Sequence, residues 1–128
     1  MNTEHQESNL IVKLTFDFAI SVIDFVEQLQ NEKRFVIANQ LLKSGTSIGA
    51  NVREAQNAES KSDFIHKFKI AAKEADETQY WLELCKYSEH YPAPDKLITQ
   101  LESIMRVLNK IISTSKGKNL TAPHQLIS

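Results

Sequence analysis

A single cysteine, Cys85, is present in the 128 residues, so the chain cannot form an internal disulfide. That scarcity fits a reducing compartment, and the opening MNTEHQESN lacks the basic and then apolar layout of a signal peptide. No apolar run approaches the roughly 18 residues that a membrane span requires. The composition therefore predicts a soluble, cytoplasmic protein with no membrane partner.

Neither sign of charge is in large surplus. The chain has 15 Lys and Arg residues against 16 Asp and Glu residues, for a formal net charge of -1. Attraction to a polyanion must therefore come from local patches and not from the field of the whole molecule. At 128 residues the chain is long enough for one hydrophobic core and too short for two ordinary domains.

Glycine and proline are also scarce, with three of each, and they fall where helical patterns stop or tighten. Apolar residues recur at helical spacing in four segments, and strand-like alternation is absent. The predicted helices cover about 9–30, 34–56, 62–89 and 94–116. Short polar joints between them favour antiparallel neighbours. The sequence predicts an all-α, antiparallel, up-down-up-down four-helix bundle over residues 1–116, with a mobile tail over residues 117–128.

Two local signals refine this prediction. Ser60 or Ser62 is the expected N-cap of the third helix, since serine hydroxyls accept hydrogen bonds from first-turn amides. In the second helix, Gly45 and Gly49 each cost roughly 1 kcal/mol against alanine. We expect close helix contact, or a local break in the helix, at these two positions.

The apolar face of the first helix is broad. At about 100° per residue its apolar side chains cover an arc of about 200°, roughly twice the stripe that a surface helix needs. The fourth helix repeats the feature over about half its circumference. We expect the surplus on the first helix to contact another copy of the chain through Val12, Phe16 and Ile23, with a thick monomer core as the alternative.

The third helix has an apolar seam with alternating spacings of three and four residues. Its members are Phe64, Phe68, Ala71, Ala75, Thr78, Leu82 and Cys85. Ile70, Trp81 and Leu84 lie off this seam on one flank, and we expect them to contact a neighbouring subunit because tryptophan is favoured at buried interfaces. The alternative is that Trp81 covers the edge of its own bundle.

Positive charge concentrates at the start of the third helix, before an acidic stretch. His66, Lys69 and Lys73 fall on the side away from the seam, so they can meet phosphate together. The complete set of candidate nucleic-acid-binding residues is Lys33, Arg34, Lys43, Arg53, Lys61, His66, Lys67, Lys69 and Lys73. The alternative is a solvated charged face, since no aromatic residues are interleaved with the basic ones.

Residues suited to catalysis or metal binding do not converge in the sequence. Asp63 and His66 have the spacing of one half of a di-iron motif, but His66 points away from the predicted core. Cys85 lies on the apolar seam, which is typical of a small core residue. No Gly-rich phosphate loop is present. We expect no enzymatic activity and no metal, cofactor or small-molecule substrate.

Two segments carry a family resemblance. SIGANVREA, followed by DFIHKFKIAAKEADETQYWLEL, resembles the bacterial four-helix-bundle family that includes proteins encoded by intervening sequences within 23S ribosomal RNA genes. The matching positions are Ser47, Ile48, Asn51, Glu54 and Ala55, then Ala71 or Ala75, Glu74 or Glu77, and Tyr80, Trp81 and Leu82. The resemblance implies a homopentameric ring and a role near ribosomal RNA. It also implies kinship with the accessory proteins of diversity-generating retroelements, which associate with a reverse transcriptase and nucleic acid.

The resulting prediction is a non-catalytic, homo-oligomeric binding or scaffold protein that engages structured RNA or a ribonucleoprotein through basic surface residues. The alternative is a protein-protein adaptor with no direct nucleic-acid contact. Salt dependence separates the two, because phosphate binding releases counterions and weakens steeply as salt rises.

Overall fold

The computed structural model describes the backbone of residues 3–119 and the side chains of residues 6–116. Over this range the chain forms four α-helices and no strand, which confirms the all-α prediction. The helices are α1 (Thr3–Asn31), α2 (Phe35–Ala55), α3 (Lys61–Tyr87) and α4 (Asp95–Asn119). Each helix packs on its successor and α4 returns to α1, so α1 and α3 occupy diagonal corners of the bundle.

Ion pairs between helix ends show that neighbouring helices run antiparallel. Glu7 near the start of α1 lies 2.8 Å from Lys110 near the end of α4. Lys67 near the start of α3 lies 2.9 Å from Glu54 near the end of α2. Both contacts are at the same end of the molecule, so the four helices form an antiparallel bundle. None of the described helices combines the length and hydropathy of a membrane span.

The two outer helix ends correct the predicted boundaries. α1 begins at Thr3 and not near Asn9, because its first turns are polar and apolar periodicity does not detect them. α4 continues through Gly117 to Asn119, since a single glycine weakens a helix without having to end it. The helix therefore includes the first three residues of the predicted tail, and residues 120–128 lie outside the described part of the chain.

The start of α3 is fixed by a side-chain cap. The Ser60 hydroxyl accepts a hydrogen bond of 3.0 Å from the backbone N-H of Asp63. Ser60 is therefore the N-cap, which settles the choice between Ser60 and Ser62. The Asp63 carboxylate lies in the first turn, where the helix dipole favours negative charge.

Glycines in α2 allow α1 to approach closely. A Cβ atom at Gly45 would lie 3.0 Å from both Cγ atoms of Val22, and one at Gly49 would lie 3.3 Å from the Cβ and Oγ1 atoms of Thr15. α2 continues through both glycines without a break. Of the two explanations for these glycines, the structure shows close contact.

The core side of α3 differs from the predicted seam at one position. The buried residues are Ile65, Phe68, Ala71, Ala75, Thr78, Leu82 and Cys85. Phe64 is half-buried, and its ring centroid lies 4.7 Å from that of Phe68. Phe64 lies in the first turn of α3, at the end of the bundle, where it lines a cleft. Its neighbour Ile65 is buried in the core in its place.

The broad apolar faces of α1 and α4 differ in how much of each is buried in the bundle. The outer apolar side chains of α4 are partly buried against the core, so the bundle itself covers most of this wide apolar face. They are Ile98, Met105, Val107 and Ile112. On α1, large apolar side chains stay exposed on the side away from the core. They are Leu10 (46% exposed), Phe16 (52%), Ile20 (48%) and Ile23 (39%). The last three lie on one side of the helix, at spacings of four and three residues, and we term them the α1 apolar stripe. The thick-core alternative therefore accounts for α4, whereas part of the broad apolar face of α1 stays exposed in the single chain.

Candidate nucleic-acid interface

Basic side chains from two helices meet near the start of α3. His66, Lys69 and Lys73 are exposed and lie at helical spacings of three and four residues, opposite the buried seam. Lys116, in the last turns of α4, lies beside Lys69, and the contact and repulsion between the two ammonium groups lower the pKa of Lys69. We term these four residues the basic face.

Lys69 and Lys116 repel each other, and because both are exposed, water and salt screen most of this repulsion in the free protein. Neither takes part in an ion pair between the described side chains. A phosphate bound between Lys69 and Lys116 would offset their mutual repulsion, because a nearby anion favours the charged form of both ammonium groups. The basic face is therefore suited to a polyanion.

Lys67 and Lys61 lie near the basic face but have other surroundings. Lys67 lies on the flank facing α2, and its Nζ atom lies 2.9 Å from the Glu54 carboxylate. This hydrogen bond, and the charge of Glu54, raise the pKa of Lys67. Lys61 is exposed at the first residue of α3 and lines a cleft at the end of the bundle.

Lys33 and Arg34 lie at the opposite end of the bundle. The Arg34 guanidinium lies 4.0 Å from the centroid of the Tyr91 ring and donates a 3.2 Å hydrogen bond to the His90 carbonyl oxygen. It therefore ties the start of α2 to the joint between α3 and α4. Lys33 adopts a positive φ of 63° in the tight joint between α1 and α2. Neither residue lies on the basic face.

Lys43 and Arg53 lie on different sides of α2. The Arg53 guanidinium lies 5.8 Å from the ring centroid of Phe16, which places it over the groove between α1 and α2. Lys43 lies near Glu74, whose pKa is raised by burial and by the charge of Glu77, with Lys43 acting in the opposite direction. The nine predicted basic residues are therefore dispersed, and three of them share the basic face.

Sequence reasoning missed Lys116 as a member of the basic face. Its position follows from the antiparallel order, which brings the end of α4 beside the start of α3. That signal was available, because short joints already predicted the order. Charge patterning within one helix does not reveal a neighbour contributed by another helix.

The residues predicted to form a subunit interface differ in how exposed they are in the single chain. On α3, Leu84 is exposed together with Tyr80 and Tyr87, whereas Ile70 and Trp81 are half-buried. Trp81 packs against the core and meets the Tyr80 ring edge-on at 5.2 Å between centroids. Its Nε1 atom is buried without a hydrogen-bond partner among the described residues. Trp81 therefore covers the edge of its own bundle in the single chain.

The α1 apolar stripe borders a groove of about 260 Å³ between α1 and α2. Phe16 and Arg53 stand at its sides, and Gly49 and Ala50 contribute little side-chain bulk. Val12 lines the same groove and is half-buried. Ile20, which extends the stripe, was not among the predicted interface residues.

Cys85 is expected to resist iodoacetamide in the native protein at pH 8 and to react after unfolding in urea. Its side chain is 1% exposed, and burial raises its pKa to about 11, so little of the reactive thiolate is present. The folded-state pKa of Cys85 is higher than the ordinary value of 9.0, so the thiol holds its proton more tightly in the folded state than in the unfolded state. This difference adds to the free energy of unfolding below pH 9, and the added stability is lost as the pH rises from 9 toward 11. Mass spectrometry of the alkylated chain measures the reaction, and rapid labelling of the native protein would contradict a sealed core at this position.

The described residues contain no group of three or more His, Cys, Asp or Glu side chains placed to share a metal ion. Asp63 and His66 keep their helical spacing, with His66 exposed on the outer side of α3 and Asp63 near Lys67. The arrangement as a whole offers surface charge and apolar contact area.

Comparison with known proteins agrees with this architecture. The sequence model of the family described as 23S rRNA-intervening sequence protein matches residues 7–110. A crystal structure from Bacteroides thetaiotaomicron, described as a protein with unknown function from the S23 ribosomal protein family, is similar to this chain at 40% sequence identity and a TM-score of 0.79. The match covers 84% of this chain and 98% of that one. None of the curated proteins matches. The chain belongs to the 23S rRNA-intervening sequence protein family.

Proposed function

We propose that this protein is a non-catalytic, self-assembling binding protein that engages structured RNA, free or within a ribonucleoprotein, through the basic face. The carrying observation is the exposure of His66, Lys69 and Lys73 on one side of α3, with Lys116 of α4 beside Lys69. The description of the matching family and that of the Bacteroides thetaiotaomicron protein both refer to ribosomal components, which supports RNA as the polyanion.

Assembly is the second part of the proposal. The α1 apolar stripe and the exposed side chains Tyr80, Leu84 and Tyr87 of α3 lie on diagonal helices, and so on opposite sides of the bundle. Two different surfaces on opposite sides favour head-to-tail contact, in which one copy presents α1 to α3 of the next. Such contacts close into a ring when the rotation allows, and the family resemblance leads us to expect five copies.

A ring would strengthen a weak site. The chain has a net charge of -1, so a single basic face holds RNA only weakly against solvent ions. Several copies of the face in one particle would bind together, because the first contact raises the effective concentration of the others. The proposal therefore links the apolar surfaces to the charged one.

Lys69→Glu combined with Lys73→Glu is expected to weaken binding to a 23S rRNA fragment by about tenfold or more, and to reduce the slope of log affinity against log salt by about 2. Fluorescence anisotropy across a salt series measures both quantities. Lys33→Glu combined with Lys96→Glu is the matched control, since it changes net charge equally at exposed positions away from the basic face.

Equal losses of RNA affinity in the two double variants would contradict a localised RNA site.

A protein-protein adaptor is the second candidate function, and the exposed α1 apolar stripe is the observation that favours it. In that case RNA binding would be absent or unaffected by the basic-face variant. Capture of a polypeptide partner would then depend on the stripe and change little with salt.

A further inference from the structure

All four helices contribute to a cleft at one end of the bundle. The cleft lies where α1 and α3 begin and where α2 and α4 end, and its volume is about 340 Å³. This volume is at the small end of the range for ligand sites, about 300–1,000 Å³. Ala55, Phe64 and Ile111 provide an apolar lining, so the cleft suits a small ligand with an apolar body.

A largely buried serine lines the same cleft. Ser115 is 7% exposed, and it makes no hydrogen bond with another described residue. Buried hydroxyls elsewhere in the bundle do have partners: Thr15 donates to the Ile11 carbonyl oxygen at 2.8 Å, and Thr78 to that of Glu74 at 2.7 Å. Thr114 also lines the cleft and makes no hydrogen bond with another described residue, so the hydroxyl groups of Ser115 and Thr114 are both open to a ligand in the cleft.

The charges around the cleft favour an anion. The carboxylate of Glu7 is neutralised by Lys110 at 2.8 Å, whereas Lys61 takes part in no ion pair between the described side chains. Lys61 is also the first residue of α3, where the helix dipole is positive. Ser60 caps the Asp63 amide, and the Asp63 side chain does not line the cleft.

We propose that this cleft binds a small amphipathic carboxylate. The anionic group lies at Lys61 and the start of α3, the apolar body packs on Phe64 and Ile111, and Ser115 supplies a hydrogen bond within the cleft. This site is separate from the basic face, because it is concave, is formed at the end of the bundle and holds a single uncompensated lysine.

The test uses the full-length protein and octanoate as the probe, with binding measured by isothermal titration calorimetry. We expect octanoate to bind and octylammonium, which has the same chain length and the opposite charge, to bind at least tenfold more weakly. Lys61→Gln is expected to weaken octanoate binding at least tenfold. Because Lys61 is exposed, this substitution preserves the fold, as a circular dichroism melting curve will show.

Two further variants distinguish the cleft from general adsorption. Ser115→Leu fills the cleft and is expected to abolish octanoate binding. Phe16→Ser reduces the α1 apolar stripe and is expected to leave octanoate binding unchanged. The proposal is overturned if the wild-type protein does not bind octanoate, if octylammonium binds equally well, or if Phe16→Ser removes the binding that Lys61→Gln retains.

Discussion

Gly45→Val is expected to lower the free energy of unfolding by about 3 kcal/mol, at the upper end of what overpacking a core usually costs. The added side chain would begin 3.0 Å from both Cγ atoms of Val22, so α1 and α2 would have to separate. Val22 cannot easily rotate away, because its β-branched side chain has one strongly preferred rotamer in a helix. The small gain in helix propensity over glycine, about 0.5 kcal/mol, does not offset that strain.

Urea unfolding at fixed protein concentration measures this effect, since association would otherwise alter the apparent stability. Asn39→Val is the control, because Asn39 is exposed on α2 outside the groove between α1 and α2, and asparagine and valine have similar helix propensities. Combining Gly45→Val with Val22→Ala removes methyl groups at the point of contact. The double variant is expected to be more stable than the sum of the single effects by about 1–2 kcal/mol.

Additive effects of Gly45→Val and Val22→Ala would contradict direct contact between these positions. A neutral Gly45→Val variant would show that α1 and α2 have room between them. Either result would remove the physical reason for glycine at position 45, which is close helix approach.

Under the proposed assembly, Ile20→Glu combined with Ile23→Glu is expected to convert the oligomer to single chains of 14.6 kDa. Both side chains belong to the α1 apolar stripe and are exposed in the single bundle, so glutamate there remains solvated in the monomer. In an assembly the same two charges would be buried without partners, which is strongly unfavourable. Phe16→Asp is a less decisive choice, because Arg53 lies near enough to that position to pair with it.

Light scattering at micromolar concentration measures the mass of each protein. Thr99→Glu combined with Asn109→Glu is the matched control, since it adds the same charge at exposed positions of α4. We expect the control to keep the wild-type mass and both variants to keep their helical content. A wild-type mass of 14.6 kDa, or an unchanged mass in the stripe variant, would contradict assembly through α1.

Much of the fold could be predicted from the sequence, because the relevant signals are local. Apolar periodicity located the four helices, and the short joints gave their antiparallel order. The periodicity did not detect the polar first turns of α1, where Glu7 pairs with Lys110 across the bundle. It also placed Phe64 in the interior in place of Ile65, since the two are adjacent and both apolar.

The candidate site was less predictable, because its composition depends on contacts between helices. His66, Lys69 and Lys73 were recognised as a group from their spacing on one helix. Arg34 contacts the ring of Tyr91, and Lys67 forms an ion pair with Glu54. Because these partners are not neighbours in the sequence, charge spacing could not separate basic residues with such structural contacts from basic residues that are free to bind a ligand. Lys116 is different, because the antiparallel order predicted from the short joints already places the end of α4 beside the start of α3.

The cyclic order of the helices has a consequence for how the chain acquires its structure. Because each helix packs on its successor, most contacts join residues that are near in sequence, and chains of this kind fold quickly. The contact of α4 with α1 joins the most distant segments, so it closes the largest loop and carries the largest entropic cost. During synthesis, the α1–α2 and α2–α3 hairpins can form as they leave the ribosome. The flank of α1 that receives α4 stays uncovered until α4 has been synthesised.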